Sequence, residues 1–86
     1  MEERGRVEEG LRELGFDVWP SQSNFILFRT SPTGRDGDAI WQELVDRSVL
    51  VRNCSGWPRL ADCLRVTLGT AEENDRFLSA LQEVLR

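Results

Sequence analysis

Cys63-Leu64-Arg65-Val66-Thr67-Leu68-Gly69-Thr70-Ala71-Glu72-Glu73-Asn74 changes its periodicity part-way along. In the first half Leu64, Val66 and Leu68 alternate with Arg65 and Thr67, the two-residue repeat of a strand with one buried face. At Thr70 the alternation stops. Thr70 and Glu73 stand in capping-box order, the hydroxyl accepting from the backbone while the carboxylate reaches back. Beyond them Phe77, Leu78, Leu81, Val84 and Leu85 fall along one side of a helix. A strand with an arginine on its far face, running into a capped amphipathic helix, predicts a sheet covered on one side only.

The upstream segments fit that scheme. Val7, Leu11 and Leu14 recur at helical spacing, and Gly15 supplies the stop, since a residue without Cβ takes the left-handed cap conformation cheaply. Gly5 and Gly10 weaken this first helix by about 1 kcal/mol each relative to Ala, so it reads as the tail of something longer, cut at Met1. Residues 16–19 form a short strand ended by Pro20, and 21–24 a polar turn. Phe25-Ile26-Leu27-Phe28 reads as a central strand buried on both faces. Residues 30–37 are a loop, after which Asp36 or Asp38 caps a helix carrying Ile40, Trp41, Leu44 and Val45. A third strand is expected at Val49-Leu50-Val51, then a loop over 53–62. The order αββαββα makes an α+β fold: a small, mainly antiparallel four-stranded sheet with helices on one face.

Composition excludes whole classes of chemistry. In 86 residues there is no His and no Tyr, and all 11 basic residues are Arg, so no Lys exists either. A Ser-His-Asp triad, a His-ligated metal site and a Schiff-base lysine are therefore absent from the chain. Cys54 and Cys63 have no second pair at zinc spacing and read as reduced, half-buried thiols of a cytoplasmic protein. No metal site is expected. A net charge of −4 argues against nucleic acid and anionic membrane, both of which reward a basic surface. No apolar run reaches membrane length.

The uncovered face of the sheet is where function is to be sought. If Leu64 and Val66 face the helices, Arg65 leaves through the other side; by the same parity Leu50 and Arg52 turn away from Val49 and Val51. Each arginine admits two readings. It is a solvated or salt-bridged strand residue, or it captures a carboxylate or phosphate through two parallel hydrogen bonds. Asn24 can donate or accept at a site, or simply form a turn; Ser21 and Ser23 share that choice. Glu72-Glu73 reads as charge at a helix N-terminus, not a catalytic pair. No nucleophile is poised beside a base, so no catalytic residue is assigned.

Three segments carry a resemblance. Pro20-Ser21-Gln22-Ser23-Asn24-Phe25 is similar to the Pro-Ser-x-x-Asn-Phe segment of the small domain of fold-type-I pyridoxal-phosphate aminotransferases. Val49-Leu50-Val51-Arg52-Asn53 resembles the segment that follows it, and 63–74 the closing signature of that domain. Together they lie nearest the histidinol-phosphate aminotransferase family, over nearly the whole chain. The resemblance implies that residues 1–86 are the C-terminal, substrate-clamping domain, with the large domain that binds pyridoxal 5'-phosphate absent. It implies that Arg65 grips the substrate carboxylate or phosphate, that Arg52 is a second anion contact, and that Asn24 lies near the substrate entrance. It further implies histidinol phosphate and glutamate or 2-oxoglutarate as substrates, a homodimeric full-length enzyme, and a chain inactive alone. Ser48 departs from the family, which tends to have a glycine there; the change alters the turn and leaves the arginine untouched. An aromatic-amino-acid transaminase and a phosphothreonine-type decarboxylase are alternatives within the class. Outside it stands a free-standing α+β module that binds an anion or a protein.

Overall fold

The structure is a computed structural model that describes residues 2–19 and 24–85; the turn expected at 21–24, with Pro20, Ser21 and Ser23, lies almost wholly outside them. Helix α1 spans Glu2–Glu13, strand β1 Asp17–Trp19, strand β2 Phe25–Arg29, helix α2 Gly37–Asp46, strand β3 Arg52–Asn53, strand β4 Cys63–Thr67 and helix α3 Ala71–Val84. A turn of 3₁₀ helix at Ser31–Thr33 occupies part of the expected loop before α2.

The strands form one antiparallel sheet in the order β1-β2-β4-β3, so the two five-residue strands pair at its centre. Ile26 pairs with Val66 and Phe28 with Leu64, and all four are buried in one core with Val7, Leu11, Ile40, Leu44, Phe77 and Leu81 from the three helices. Phe28 sits at its middle, edge-on to Phe16 at 5.3 Å and to Phe77 at 5.8 Å, the arrangement favoured by ring quadrupoles.

Local chemistry ends the helices where the sequence says. Gly15 adopts φ 99°, with its N–H donating to Arg12 O and the Phe16 N–H to Leu11 O, a Schellman closure. Phe16 is thereby drawn into the core and is not part of β1, which starts one residue later than expected. Asp36, not Asp38, caps α2 by accepting from Ala39 N. The Thr70–Glu73 capping box is present in full.

Three sequence expectations are corrected. The strand expected at 49–51 lies instead at Arg52–Asn53. The Val49 N–H donates to Leu44 O at the end of α2, and Val51 O accepts from the Trp41 indole at 2.9 Å, so the segment docks on α2 instead of extending the ladder. Its parity still holds: Val51 is buried and Leu50 exposed. Strand β2 is not buried on both faces. Phe25 is 36% exposed and Leu27 half-buried, because none of the described helices covers that side. Cys54 and Cys63 are free thiols, and both are fully buried, not half-buried.

Candidate functional site

The face that the helices leave open is organised in rows by the strand register. Trp19 lies opposite Leu27, Leu27 opposite Arg65, and Arg65 opposite Arg52, one row across all four strands. The next row holds Asp17, Arg29 and Cys63, and on the other side Phe25 faces Thr67. Alternation along each strand puts these side chains on the face away from Ile26, Phe28, Leu64 and Val66.

Arg52 and Arg65 are thus directly opposed. Like charges facing each other across a ladder destabilise it, and a fold keeps such a pair only with compensation. Among the described residues neither guanidinium has a carboxylate or hydrogen-bond partner, and the Nε of half-buried Arg65 is sealed from solvent without one. Other arginines are already committed. Arg6 bridges Glu3 and Asp75 at 2.7 and 2.6 Å, Arg47 reaches Glu83, and Arg35 binds Glu43 and Val84 O. Arg29, which sequence reading overlooked, donates to Ala61 O and Arg59 O and so pins the loop before β4.

What the two opposed guanidinium groups do contact is aromatic. Arg65 lies 4.5 Å from the Phe25 ring centroid and Arg52 lies 5.4 Å from that of Trp57. Sequence reading treated Phe25 as core and gave Trp57 no role. Only the course of the 54–62 loop brings Trp57 back over Arg52.

Asn24 stands at the exposed end of β2, its carbonyl accepting from Leu68 N at 2.7 Å. It adjoins Phe25 but is not in the arginine row. Ser21 and Ser23 lie outside the described residues. Behind Arg52, Asn53 Nδ2 and Ser55 Oγ each donate to Asp38 Oδ1 at 2.8 Å, which holds the Asp38 carboxyl below the usual aspartate range, the Asn53 bond contributing most. No group of three or more metal-ligating side chains exists among the described residues, and no helix among them is long and apolar enough to cross a membrane.

A family model described as aminotransferase class I and II matches residues 1–81. The chain belongs to the class I and II aminotransferases. Within that family it is similar to histidinol-phosphate aminotransferase 2 of Nitrosococcus oceani, 48% identical over 92% of this chain and 22% of that protein. It is 42% identical to histidinol-phosphate aminotransferase of Aquifex aeolicus, over 100% of this chain and 24% of the relative. Among solved structures, histidinol-phosphate aminotransferase from Clostridium acetobutylicum superposes with a TM-score of 0.85 at 29% identity, covering 98% of this chain and 25% of the other. The chain therefore spans about a quarter or less of the length of these aminotransferases. Aminotransferases of this class generally use pyridoxal phosphate, whose aldehyde is seated on an amine. The chain has no lysine, so its residues do not provide that seat, and no step of the chemistry is assigned to them.

Proposed function

We propose that this chain is the C-terminal, substrate-clamping portion of a pyridoxal-phosphate-dependent aminotransferase of the histidinol-phosphate type, and that it is inactive by itself. Arg65 binds the carboxylate of the amino-acid substrate or the phosphate of histidinol phosphate; Arg52 is the second contact for the phosphate. The observation that carries this reading is the opposed pair itself: two guanidinium groups in register on an open face, neither neutralised by a carboxylate among the described residues. A bound oxyanion between them removes the repulsion and gives the terminal guanidinium N–H groups, which unlike Arg65 Nε are not sealed from solvent, a charged partner. One planar fork serves carboxylate and phosphate alike, which suits an enzyme that must accept glutamate and a phosphate monoester in turn. Asn24, at the end of β2, borders the approach to this face. In the intact enzyme, a homodimer, closure of this portion over the substrate excludes water and strengthens the charge contacts.

The test is steady-state kinetics of the full-length enzyme carrying Arg65→Gln. Loss of a charged hydrogen-bond pair is expected to lower kcat/KM by about 10- to 100-fold for both substrates. Arg52→Gln is expected to act mainly on histidinol phosphate. Unchanged constants for Arg65→Gln overturn the assignment.

A further inference from the structure

We propose that Phe25 and Trp57 are positioning residues: each supports one of the paired arginines on an aromatic face and so keeps its terminal N–H donors free for the substrate anion. The proposal rests on the anion-binding reading above and concerns how that site is kept ready.

Two opposed arginines on a sheet need something to hold them, and the available devices differ in whether they use up the guanidinium donors, as the carbonyls of Ala61 and Arg59 do for Arg29, which also lies 5.0 Å from the Trp19 ring. A neighbouring carboxylate holds a guanidinium through its in-plane N–H groups, which neutralises it and occupies the donors an incoming anion would need. An aromatic ring attracts the same cation through its face, leaving the in-plane donors untouched. This chain uses the first device for Arg6, Arg35 and Arg47. It uses the second for Arg65, over Phe25 at 4.5 Å, and for Arg52, over Trp57 at 5.4 Å.

The register explains how Phe25 reaches Arg65. Leu27 is directly opposite Arg65 and Phe25 opposite Thr67, so Phe25 is the diagonal neighbour on the same face, within range of a long side chain. Trp57 approaches Arg52 from a different direction, out of the loop that follows β3. The two rings therefore draw the like charges to separate seats. Neither ring is needed for the core: Phe25 is 36% and Trp57 48% exposed, and both are missing from the buried cluster. A large aromatic left half in solvent beside an otherwise unpartnered arginine is accounted for by the arginine.

The experiment compares full-length enzyme carrying Phe25→Leu, Phe25→Tyr and Arg65→Gln, with histidinol phosphate as substrate and inorganic phosphate as competing ligand. Phe25→Leu is expected to raise KM and the phosphate inhibition constant about 5- to 10-fold, with kcat moving less than KM, while Phe25→Tyr stays within about twofold of the parent. Trp57→Leu and Trp57→Phe should behave as the corresponding pair for Arg52. If Phe25→Leu does not fold, Phe25→Met supplies a flexible, ringless side chain of similar bulk for the same comparison. The proposal is overturned if the ringless variant leaves both constants unchanged while Arg65→Gln raises them, or if Phe25→Tyr loses as much as Phe25→Leu. An inert Arg65→Gln instead brings down the anion-binding reading itself.

Discussion

Ser48 holds φ at 63°, in the left-handed region where a Cβ is crowded by the backbone. It ends α2 in the manner of Gly15 after α1: the Ser48 N–H donates to Val45 O and the Val49 N–H to Leu44 O, at 2.9 and 2.8 Å. The hydrogen-bond pattern demands glycine geometry and the residue is serine. The chain therefore carries strain at this turn. Ser48→Gly is expected to stabilise it by about 0.5–1 kcal/mol, the left-handed penalty less the extra freedom glycine gives the unfolded chain. A denaturant midpoint that fails to rise would show that the Ser48 hydroxyl compensates. Arg65 is another residue whose direction sequence parity gave, while its state is tertiary. Alternation turned it out of the core, but the lack of a carboxylate partner among the described residues is a fact about how their strands and loops assemble.

At the scale of elements, the N-terminus of α2 clamps both ends of the loop that separates Arg52 from Arg65. Asp38 accepts from Asn53 and Ser55 at the start of the loop, and Gly37 N donates to Asp62 Oδ1 at its end. Gly37 is needed there, because a Cβ would come within 2.8 Å of Asp62 Cα. The pH dependence of this clamp follows from its bonds. Asp38 has its folded pKa depressed, so its contribution is complete above the ordinary aspartate value near 4 and is lost as the pH falls through the lower folded value. Amide exchange at Asn53 and Ser55, corrected for intrinsic rate, should lose protection on acidification below about pH 4 and hold steady from pH 5 to 7. Flat protection down to pH 2 would mean that the loop is held without the carboxylate. The misplaced third strand belongs to this scale as well. The Val49-Leu50-Val51 run has every local mark of a strand, and it was the Trp41 indole and the Leu44 carbonyl that claimed its backbone.

For the whole molecule, the decisive contacts tie the first helix to the last. Asn74, 3% exposed, donates through Nδ2 to Glu3 Oε1 and Gly69 O and accepts from Gly69 N, so one buried amide joins α1, α3 and the end of β4. Arg6 adds a bridge from Glu3 to Asp75 on the surface above, where solvent screening leaves it little weight. Asn74→Ala is expected to cost about 1–3 kcal/mol, because the Gly69 backbone loses partners along with the amide. Chemical denaturation measures this, and a loss below about 0.5 kcal/mol would mean that water replaces the amide at no penalty.

The sequence alone determined the alternation of β4, the capping box and the helix stop at Gly15, since each depends on neighbours within a few residues and on side-chain periodicity. It also excluded lysine and histidine chemistry from these 86 residues, because a missing residue type needs no structure to be missing. Only the tertiary structure decided that Arg52 stands directly opposite Arg65, that Phe25 is open to solvent, and that Trp57 returns over Arg52. Those facts depend on strand register, on which face the described helices leave uncovered, and on a loop whose two ends are held by Asp38 and Gly37 at the N-terminus of α2. Local patterning cannot encode them, for they arise where segments distant in sequence compete for the same hydrogen bonds and the same face.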